Sequence, residues 1–311
     1  MKTSFKNLTE ILDYFKTEET CKKLLELQRW NGKVTCPHCE KNGIVTEKIY
    51  ITNRGYKCSE KTCQKKFTVT VGTILENSKV PLRKWFAAIY LCTAHKKGIS
   101  SYQLHRDIGV TQKTAWFMLG RIREMMKDKA PELLSGTVEA DETYIGGKES
   151  NKHQNKRNEY PQSSYHKTTV VGILERNGKL INKVVGGAKL NYVVPVLKDH
   201  ISKSAILVSD QNSVYTTIGK TYQEHHIVNH KQKDYVKGIY HTNSIEGYWS
   251  MLKRGIVGIY HQVSPKHLHR YCDEFAYRYN TRKVNDQERF INSFTRLTNG
   301  VLTYKQYIAN D

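Results

Sequence analysis

Two cysteine pairs constrain this chain more than any other feature: Cys36-Pro-His-Cys39 and, after 18 intervening residues, Cys58-Ser-Glu-Lys-Thr-Cys63. Thiolate pairs with two and four residues between their members can each form a knuckle and together close a tetrahedron around zinc. Four sulfur ligands leave no open position, so a metal held there is structural. Strand-like pieces at 48–51 and 66–69 alternate with the knuckles between residues 34 and 71. The combination makes a zinc ribbon, a sheet too thin to hold without its metal. Four ordinary buried cysteines are the competing reading, and their pairing in polar surroundings argues against it. His38, inside the first knuckle, reads as a neighbour of the site or a surface group. Cys21, Cys92 and Cys272 bring the total to an odd seven. With no apolar stretch at Met1-Lys-Thr-Ser-Phe5, this points to a reducing compartment and away from a disulfide framework.

Charge narrows the partner. Fifty Lys and Arg against 29 Asp and Glu leave +21, a self-repulsion that a polyanion relieves. The excess is +12 over residues 1–135 and +9 over 136–311, so it is spread over the whole protein and not confined to one basic arm. Nucleic acid is the natural partner, because neutralised phosphates release counterions; a merely solvated Lys-rich surface is the bland alternative. The longest apolar run, residues 85–92, is eight long, against the roughly 20 that a membrane helix needs. Neither a membrane-spanning nor a secreted protein is expected. A hydrophobic fraction of 38% supplies packed cores, and a chain of 311 residues implies two or three compact units.

Hydrophobic spacing divides the chain further. Residues 7–29 read as helical, with Leu8, Ile11, Leu12 and Phe15, then Leu24, Leu25 and Leu27, at helical spacings. Residues 81–126 are all-helical: Pro81 opens one helix, Ser100 caps a second, and Gly109-Val-Thr111 turns into a third with Ala115, Leu119 and Ile122 inward. Helix, Gly-containing turn, helix also serves as plain packing. Beside a ribbon and a basic surface it reads as a helix-turn-helix, with Gln112, Lys113 and Trp116 facing outward. From Thr137 strands take over: 137–145, a polar loop at 148–167, and runs 168–174 and 180–185 joined through Arg176-Asn-Gly-Lys179, a hairpin signal. A helix at 192–201, a buried strand at 205–210, a weaker strand at 225–228 and amphipathic helices at 244–254 and 265–282 follow. That element order is an RNase H-like α/β core. The fold class is therefore multidomain α+β: a helical segment 1–33, a zinc ribbon 34–75, a helix-turn-helix domain 76–130, an RNase H-like catalytic domain 136–285 and a C-terminal tail 286–311.

Three carboxylates stand out. Asp141 lies in a strand near its C-terminal end, Asp210 ends the most apolar strand, and Glu246 lies in the first turn of a helix. An ionised carboxylate at the end of a buried strand is costly unless a positive charge holds it. Three converging acids can hold two Mg²⁺ ions, which prefer oxygen ligands. Two ions about 4 Å apart would flank a phosphodiester, one activating water or a 3′-hydroxyl and the other stabilising the leaving oxygen. Alternatives stay open at each position. Asn243-Ser-Ile-Glu246 is an acceptable capping box, Asp210 can cap the following turn, and Glu139 and Glu142 compete with Asp141.

The motifs also resemble a known family. Trp30-Asn-Gly32 before the first knuckle, Gly72-Thr-Ile74, Lys97-Gly-Ile-Ser100 and Lys113-Thr-Ala-Trp116 resemble the front half of the ISXO-type, Merlin-related insertion-sequence transposases. Val138-Glu-Ala-Asp-Glu-Thr-Tyr-Ile-Gly-Gly-Lys148 and His241-Thr-Asn-Ser-Ile-Glu-Gly-Tyr-Trp-Ser250, with Lys253-Arg-Gly255, Tyr260-His261 and Glu274-Phe-Ala-Tyr-Arg-Tyr-Asn280, resemble their catalytic domain. The resemblance, from about Trp30 to Arg282, implies a DDE-type transposase with Asp141, Asp210 and Glu246 as its acids. Asn243 stays a minor candidate, since some relatives carry Asn as the third member. It implies two catalytic Mg²⁺ (or Mn²⁺) ions and one structural Zn²⁺ on Cys36, Cys39, Cys58 and Cys63. The four-residue gap between Cys58 and Cys63 is wider than the commoner two and leaves the knuckle geometry open. Expected partners are double-stranded DNA, as transposon ends and target, and further copies of the chain on that DNA, with no membrane. Lys253 and Arg254 join the DNA-binding candidates, Lys253 as a phosphate partner or a solvated lysine. A cytoplasmic, nucleoid-associated prokaryotic protein follows. The competing classes are a catalytically inactive, domesticated DNA-binding regulator and a structure-selective nuclease.

Overall fold

The computed structural model describes Phe5 and residues 7–147, 153–157, 167–228 and 240–309. In chain order come helices α1 (Leu8–Tyr14), α2 (Glu18–Trp30) and α3 (Pro37–Glu40), strands β1 (Ile49–Thr52), β2 (Gly55–Cys58) and β3 (Lys66–Phe67), and helices α4 (Leu82–Ala94), α5 (Ser101–Ile108) and α6 (Gln112–Met126). Then follow β4 (Thr137–Ile145), β5 (Thr168–Glu175), β6 (Leu180–Val185), α7 (Leu190–His200), β7 (Ile206–Ser209), α8 (Ser213–Gly219) and β8 (Glu224–Ile227). Helices α9 (Asn243–Gly255), α10 (Pro265–Asn280), α11 (Asp286–Ser293) and α12 (Tyr304–Ile308) complete the chain. Two compact units result, one of Met1–Lys127 with Lys283–Asp311 and one of Asp128–Arg282. Most of the polar stretch 148–167, and the Lys-rich stretch ahead of His241, lie outside the described residues. No helix among the described residues is long and apolar enough to cross a membrane.

In the first unit the expected helical stretch 7–29 is two helices. Phe15 leaves helical geometry at the end of α1, and the Thr17 hydroxyl accepts from the Thr20 amide to start α2. The break turns the Phe15 ring onto Phe86 of α4, centroids 4.8 Å apart, where both are buried. Strands β1, β2 and β3 form an antiparallel sheet. Trp30 at the end of α2 meets Tyr56 and Phe67 of that sheet at 5.4 and 6.1 Å. Neighbouring Arg29 donates to the carbonyls of Val69 and Val71 at 2.7 and 2.6 Å, so the ribbon is fastened to a helix.

Helices α5 and α6 start where the sequence places their caps. Ser100 accepts from the Gln103 amide and Thr111 from that of Thr114, with Gly109 between them in the left-handed region at φ +61°. The stretch 286–311, expected as a tail, instead folds into this unit as α11, a tight 3₁₀ segment and α12. Phe290 and Phe294 pack on Phe86 at 6.2 and 4.8 Å, and buried Arg121 of α6 donates to the Leu302 carbonyl at 2.9 Å. The Tyr307 ring covers Gly120, where a Cβ would stand 2.6 Å from it. Phe290, Phe294, Leu297 and Tyr307 are all buried, and their burial is what a solvated tail would forgo.

The second unit is built on a five-stranded sheet in the order β6-β5-β4-β7-β8. β4, β5 and β6 run antiparallel, while β7 and β8 run parallel to β4. The Arg176–Lys179 turn joins β5 to β6 as expected, with Asn177 at φ +60°. Alternation along β4 sends Val138 and Ala140 into one core with Leu207, Val193, Leu197 and Tyr215. The other face packs Ile145, Val170 and Leu174 against Ile245, Trp249, Leu252 and Phe275 of α9 and α10. Asn182 of β6 ties both helices to the sheet by donating to the Tyr248 hydroxyl and to the Cys272 carbonyl. Gly255 lets α9 and α10 close in, since a Cβ there would lie 2.0 Å from the Phe275 ring.

Candidate active site

The four sulfurs of Cys36, Cys39, Cys58 and Cys63 all lie within 4.8 Å of one another. Cys36 Sγ stands 3.7 Å from Cys63 Sγ, and Cys39 Sγ 3.8 Å from Cys58 Sγ. A zinc–sulfur bond of about 2.3 Å implies tetrahedral edges of about 3.8 Å, so the donor set fits zinc. The first knuckle is the α3 turn, whose Cys39 and Glu40 amides donate to the Cys36 carbonyl at 3.1 and 3.0 Å. The wider second gap is taken up by a turn in which the Cys63 and Gln64 amides donate to the Glu60 carbonyl at 2.9 and 3.1 Å. Gln64 pays with a left-handed φ of +51°. Half-buried His38 lies outside the sulfur cluster, its ring edge-on to Phe67.

Asp141, Asp210 and Glu246, from β4, the end of β7 and the first turns of α9, line one cavity of about 500 Å³. Asp141 is in the middle of β4 and not near its end, because the strand runs on to pair with β5 as far as Ile145. The parallel ladder to β7 nevertheless stops at Ala140↔Ser209. The next residue on each strand is one of the acids, so the two diverge from a shared ladder end. Glu142, Thr143, Thr242, Trp249, Ser250 and Lys253 complete the lining. Among the described residues, only the cysteine quartet has its ligand atoms all within 4.8 Å of one another. The carboxylates share the cavity but are not drawn into so tight a group.

Asp141 accepts from the Trp249 indole N–H at 2.9 Å. The indole reaches it because Gly172, opposite Asp141 on β5, has no side chain, and a Cβ there would sit 2.5 Å from the Trp249 ring. Burial, and then the charges of Glu142 and Asp210, push the Asp141 carboxyl up to about 7. Burial chiefly raises Glu142 as well, against the hydrogen bonds from Tyr215 and Asn212 that hold its charged form. Burial drives Tyr215 well above its ordinary value, with the Glu142 charge adding to it. The Asp210 carboxylate accepts from the Asn212 amide at 3.0 Å. This concentration of acid, partly desolvated, is what a bound cation relieves.

The capping box does not form. Amides of Ser244 and Ile245, at the start of α9, donate to Glu139 instead, both at 3.0 Å. Glu246 takes the Thr242 hydroxyl at 3.0 Å, and its exposed carboxylate remains at the cavity. The physical reason is reach: buried Glu139 on β4 already sits beneath the helix end.

Family comparison meets this geometry at both sites. Residues 133–280 match the ISXO2-like transposase domain and residues 16–66 the transposase zinc-ribbon domain. The two matched segments, 199 of the chain's 311 residues, are similar to the two domains of one transposase family. The chain is also similar to an uncharacterized protein in transposable element ISH50 of Halobacterium salinarum, with 28% identity over 278 residues, covering 85% of this chain and 91% of that protein.

The remaining candidate residues of this chain fall into two groups. Lys253 is exposed and lines the acidic cavity, whereas exposed Arg254 turns its Nε back to the Ser250 carbonyl at 3.2 Å. On α6, Lys113 is exposed, its ammonium 5.0 Å from the Tyr304 ring centre. Gln112 is half-buried and donates to the Ser101 hydroxyl at 2.9 Å. Trp116 does not face outward as expected: it packs on Tyr307 at 4.3 Å, because α12 covers that side of α6. Sequence reasoning passed over Asn212, Tyr215 and Gly172. The run Glu139-Ala-Asp-Glu142 was the signal for their importance, since three acids in four positions of a buried strand require partners from elsewhere.

Proposed function

We propose that this transposase binds the inverted-repeat ends of its own insertion sequence, cleaves a phosphodiester there and joins the freed 3′ end to target DNA. The observation that carries the reading is the shared cavity of Asp141, Asp210 and Glu246, with Lys253 on its rim. The strand order β6-β5-β4-β7-β8 with β7 and β8 parallel to β4 supports an RNase H-like core. The tight α5–α6 turn supports a helix-turn-helix beside the zinc ribbon, with Lys113 as its exposed base-facing candidate. Both would hold DNA ends, and the +21 charge favours that partner.

The donor set of the cavity is all oxygen, which fits Mg²⁺ or Mn²⁺. Two such ions would supply Lewis-acid activation of the attacking hydroxyl and stabilisation of the leaving oxygen. Asp141, Asp210 and Glu246 would hold them. Trp249 orients Asp141 through its N–H. Lys253, seven residues beyond Glu246 on the same helix, is spaced to pair with a phosphate while the acids face the scissile bond. The inactive-regulator reading has no observation in its favour, since all three acids reach the cavity.

The deciding experiment supplies Mg²⁺ and a duplex carrying the element's ends, with random duplex as competitor. Nicking at the ends followed by joining is expected. Cutting of both duplexes alike would identify a structure-selective nuclease, and binding without cutting a regulator.

A further inference from the structure

β4 carries three acids within four positions, and the structure uses them differently. Glu139 is fully buried at 0% exposure. One of its oxygens accepts the Ser244 and Ile245 amides at 3.0 Å each, and the other the Ser244 hydroxyl at 2.9 Å and Arg176 Nε at 3.2 Å. Its carboxylate thus replaces the missing cap of α9, where a negative charge is also favoured by the helix dipole. Glu142 faces the opposite side of the sheet. One oxygen accepts Asn212 Nδ2 at 2.8 Å and the other the Tyr215 hydroxyl at 2.7 Å. Asn212 itself accepts from the Val214 amide to start α8 and donates its own amide to Asp210. Glu142 therefore holds the turn that bears Asp210, as Glu139 holds the helix that bears Glu246.

We infer that Asp141 is the one metal ligand on β4, while Glu139 and Glu142 are positioning residues that set Glu246 and Asp210 against it. The inference rests on the metal-dependent reading of the cavity and divides its acids by role. The two outer acids are committed to donors from other elements. Asp141 accepts the Trp249 indole N–H and lies between the two others at the ladder end. Ligand-orienting groups of this kind change metal affinity by roughly 10- to 100-fold when removed.

Titrating Mn²⁺ into the full chain by calorimetry separates ligand from positioner. In Glu142→Gln the amide oxygen can still accept from Asn212 and the amide N–H can donate to the Tyr215 oxygen. The variant should therefore lose far less Mn²⁺ affinity than Asp141→Asn, which should abolish it. Glu139→Gln, which sets an amide N–H against Arg176, should weaken Mn²⁺ binding roughly 10- to 100-fold. That loss should vanish in a Glu246→Gln background, because a group acting through Glu246 has nothing left to position. Ser244→Ala, which removes one donor and keeps the backbone amides, supplies a milder version should Glu139→Gln fail to fold. Loss of Mn²⁺ in Glu142→Gln equal to that in Asp141→Asn overturns the division of roles, as do additive effects of Glu139→Gln (or Ser244→Ala) and Glu246→Gln. If wild type and Glu142→Gln both bind Mn²⁺ and neither cuts DNA, the proposed function falls and the positioning roles stand. No Mn²⁺ uptake by the wild type sinks both.

Discussion

The acid-rich and sulfur-rich sites of this protein are built on opposite plans. The sulfur site draws its four ligands from 28 consecutive residues, and two short turns bring all of them within 4.8 Å. The oxygen site draws its acids from residues 141, 210 and 246, carried by a central strand, the end of its parallel neighbour and a helix. Its acids share a cavity without closing on one another. A site whose ligands are local can be assembled by turns alone. A site whose ligands are distant needs a sheet to bring them near and further side chains, here Glu139 and Glu142, to hold the pieces in register. The small ribbon sheet therefore has a sulfur set that zinc fits to brace it, whereas the sheet of the second unit has a hydrophobic core on each face.

The sharpest way to break that contrast is at the oxygen site. Asp210→Asn should reduce cleavage and joining to background while leaving end binding and thermal stability nearly intact. A variant that still joined ends would remove Asp210 from the site, as read by strand transfer on labelled end duplexes. At the sulfur site the same kind of change should act oppositely. Cys36→Ser should release the zinc, whose binding is worth about 10–16 kcal/mol in small zinc-dependent peptides, and cost end affinity, while Mn²⁺ binding by the second unit persists. Metal content by atomic absorption, read beside fluorescence anisotropy on end DNA, checks both halves. Full end affinity in the zinc-free variant would refute a role for the ribbon.

Acidity sharpens the contrast further. The Asp141 carboxyl, pushed up to about 7 by burial and by its acidic neighbours, must release a proton to take a cation. Mn²⁺ affinity should therefore drop about tenfold for each pH unit below that value. The metal-free protein shows the reverse sign. Between the ordinary carboxylate range and about 7 the folded state holds the proton more tightly than the unfolded one, so stability falls as pH rises through that window. Urea titrations at pH 5 and pH 7, without and with Mn²⁺, measure both effects, and Asp141→Asn should flatten them. The smallest effect is expected at Gly172. Gly172→Ala places a methyl group against the Trp249 ring and should destabilise the second unit by about 1–3 kcal/mol. It should also loosen the indole from Asp141, read as weaker Mn²⁺ binding at unchanged zinc content.

Legibility follows the same division. The ribbon ligands, the Ser100 and Thr111 caps, the Asn-Gly hairpin and the buried stripe of Ile245, Trp249, Leu252 and Ile256 could all be read from spacing, because each is settled by residues within a few positions of one another. The break between α1 and α2 was hidden by continuous helical spacing on both sides of it. Helices α8, α11 and α12 are five to eight residues long, too short for periodicity to declare, and α12 forms where Tyr307 finds Gly120 across the unit. Trp116 looked like an outward residue for the same reason, since the ring that covers it comes from almost two hundred residues later.

The sequence by itself determined which side chains can bind metal: four thiolates in two knuckles, and acids on two strand segments and in the first turn of a helix. Only the tertiary structure decided which acid of the β4 run faces which partner. A strand alternates its side chains without saying what waits on either face. The answer came from α9 settling its uncapped amides on Glu139, and from Tyr215 and Asn212 closing over Glu142, because buried charge stays where donors from distant segments can reach it.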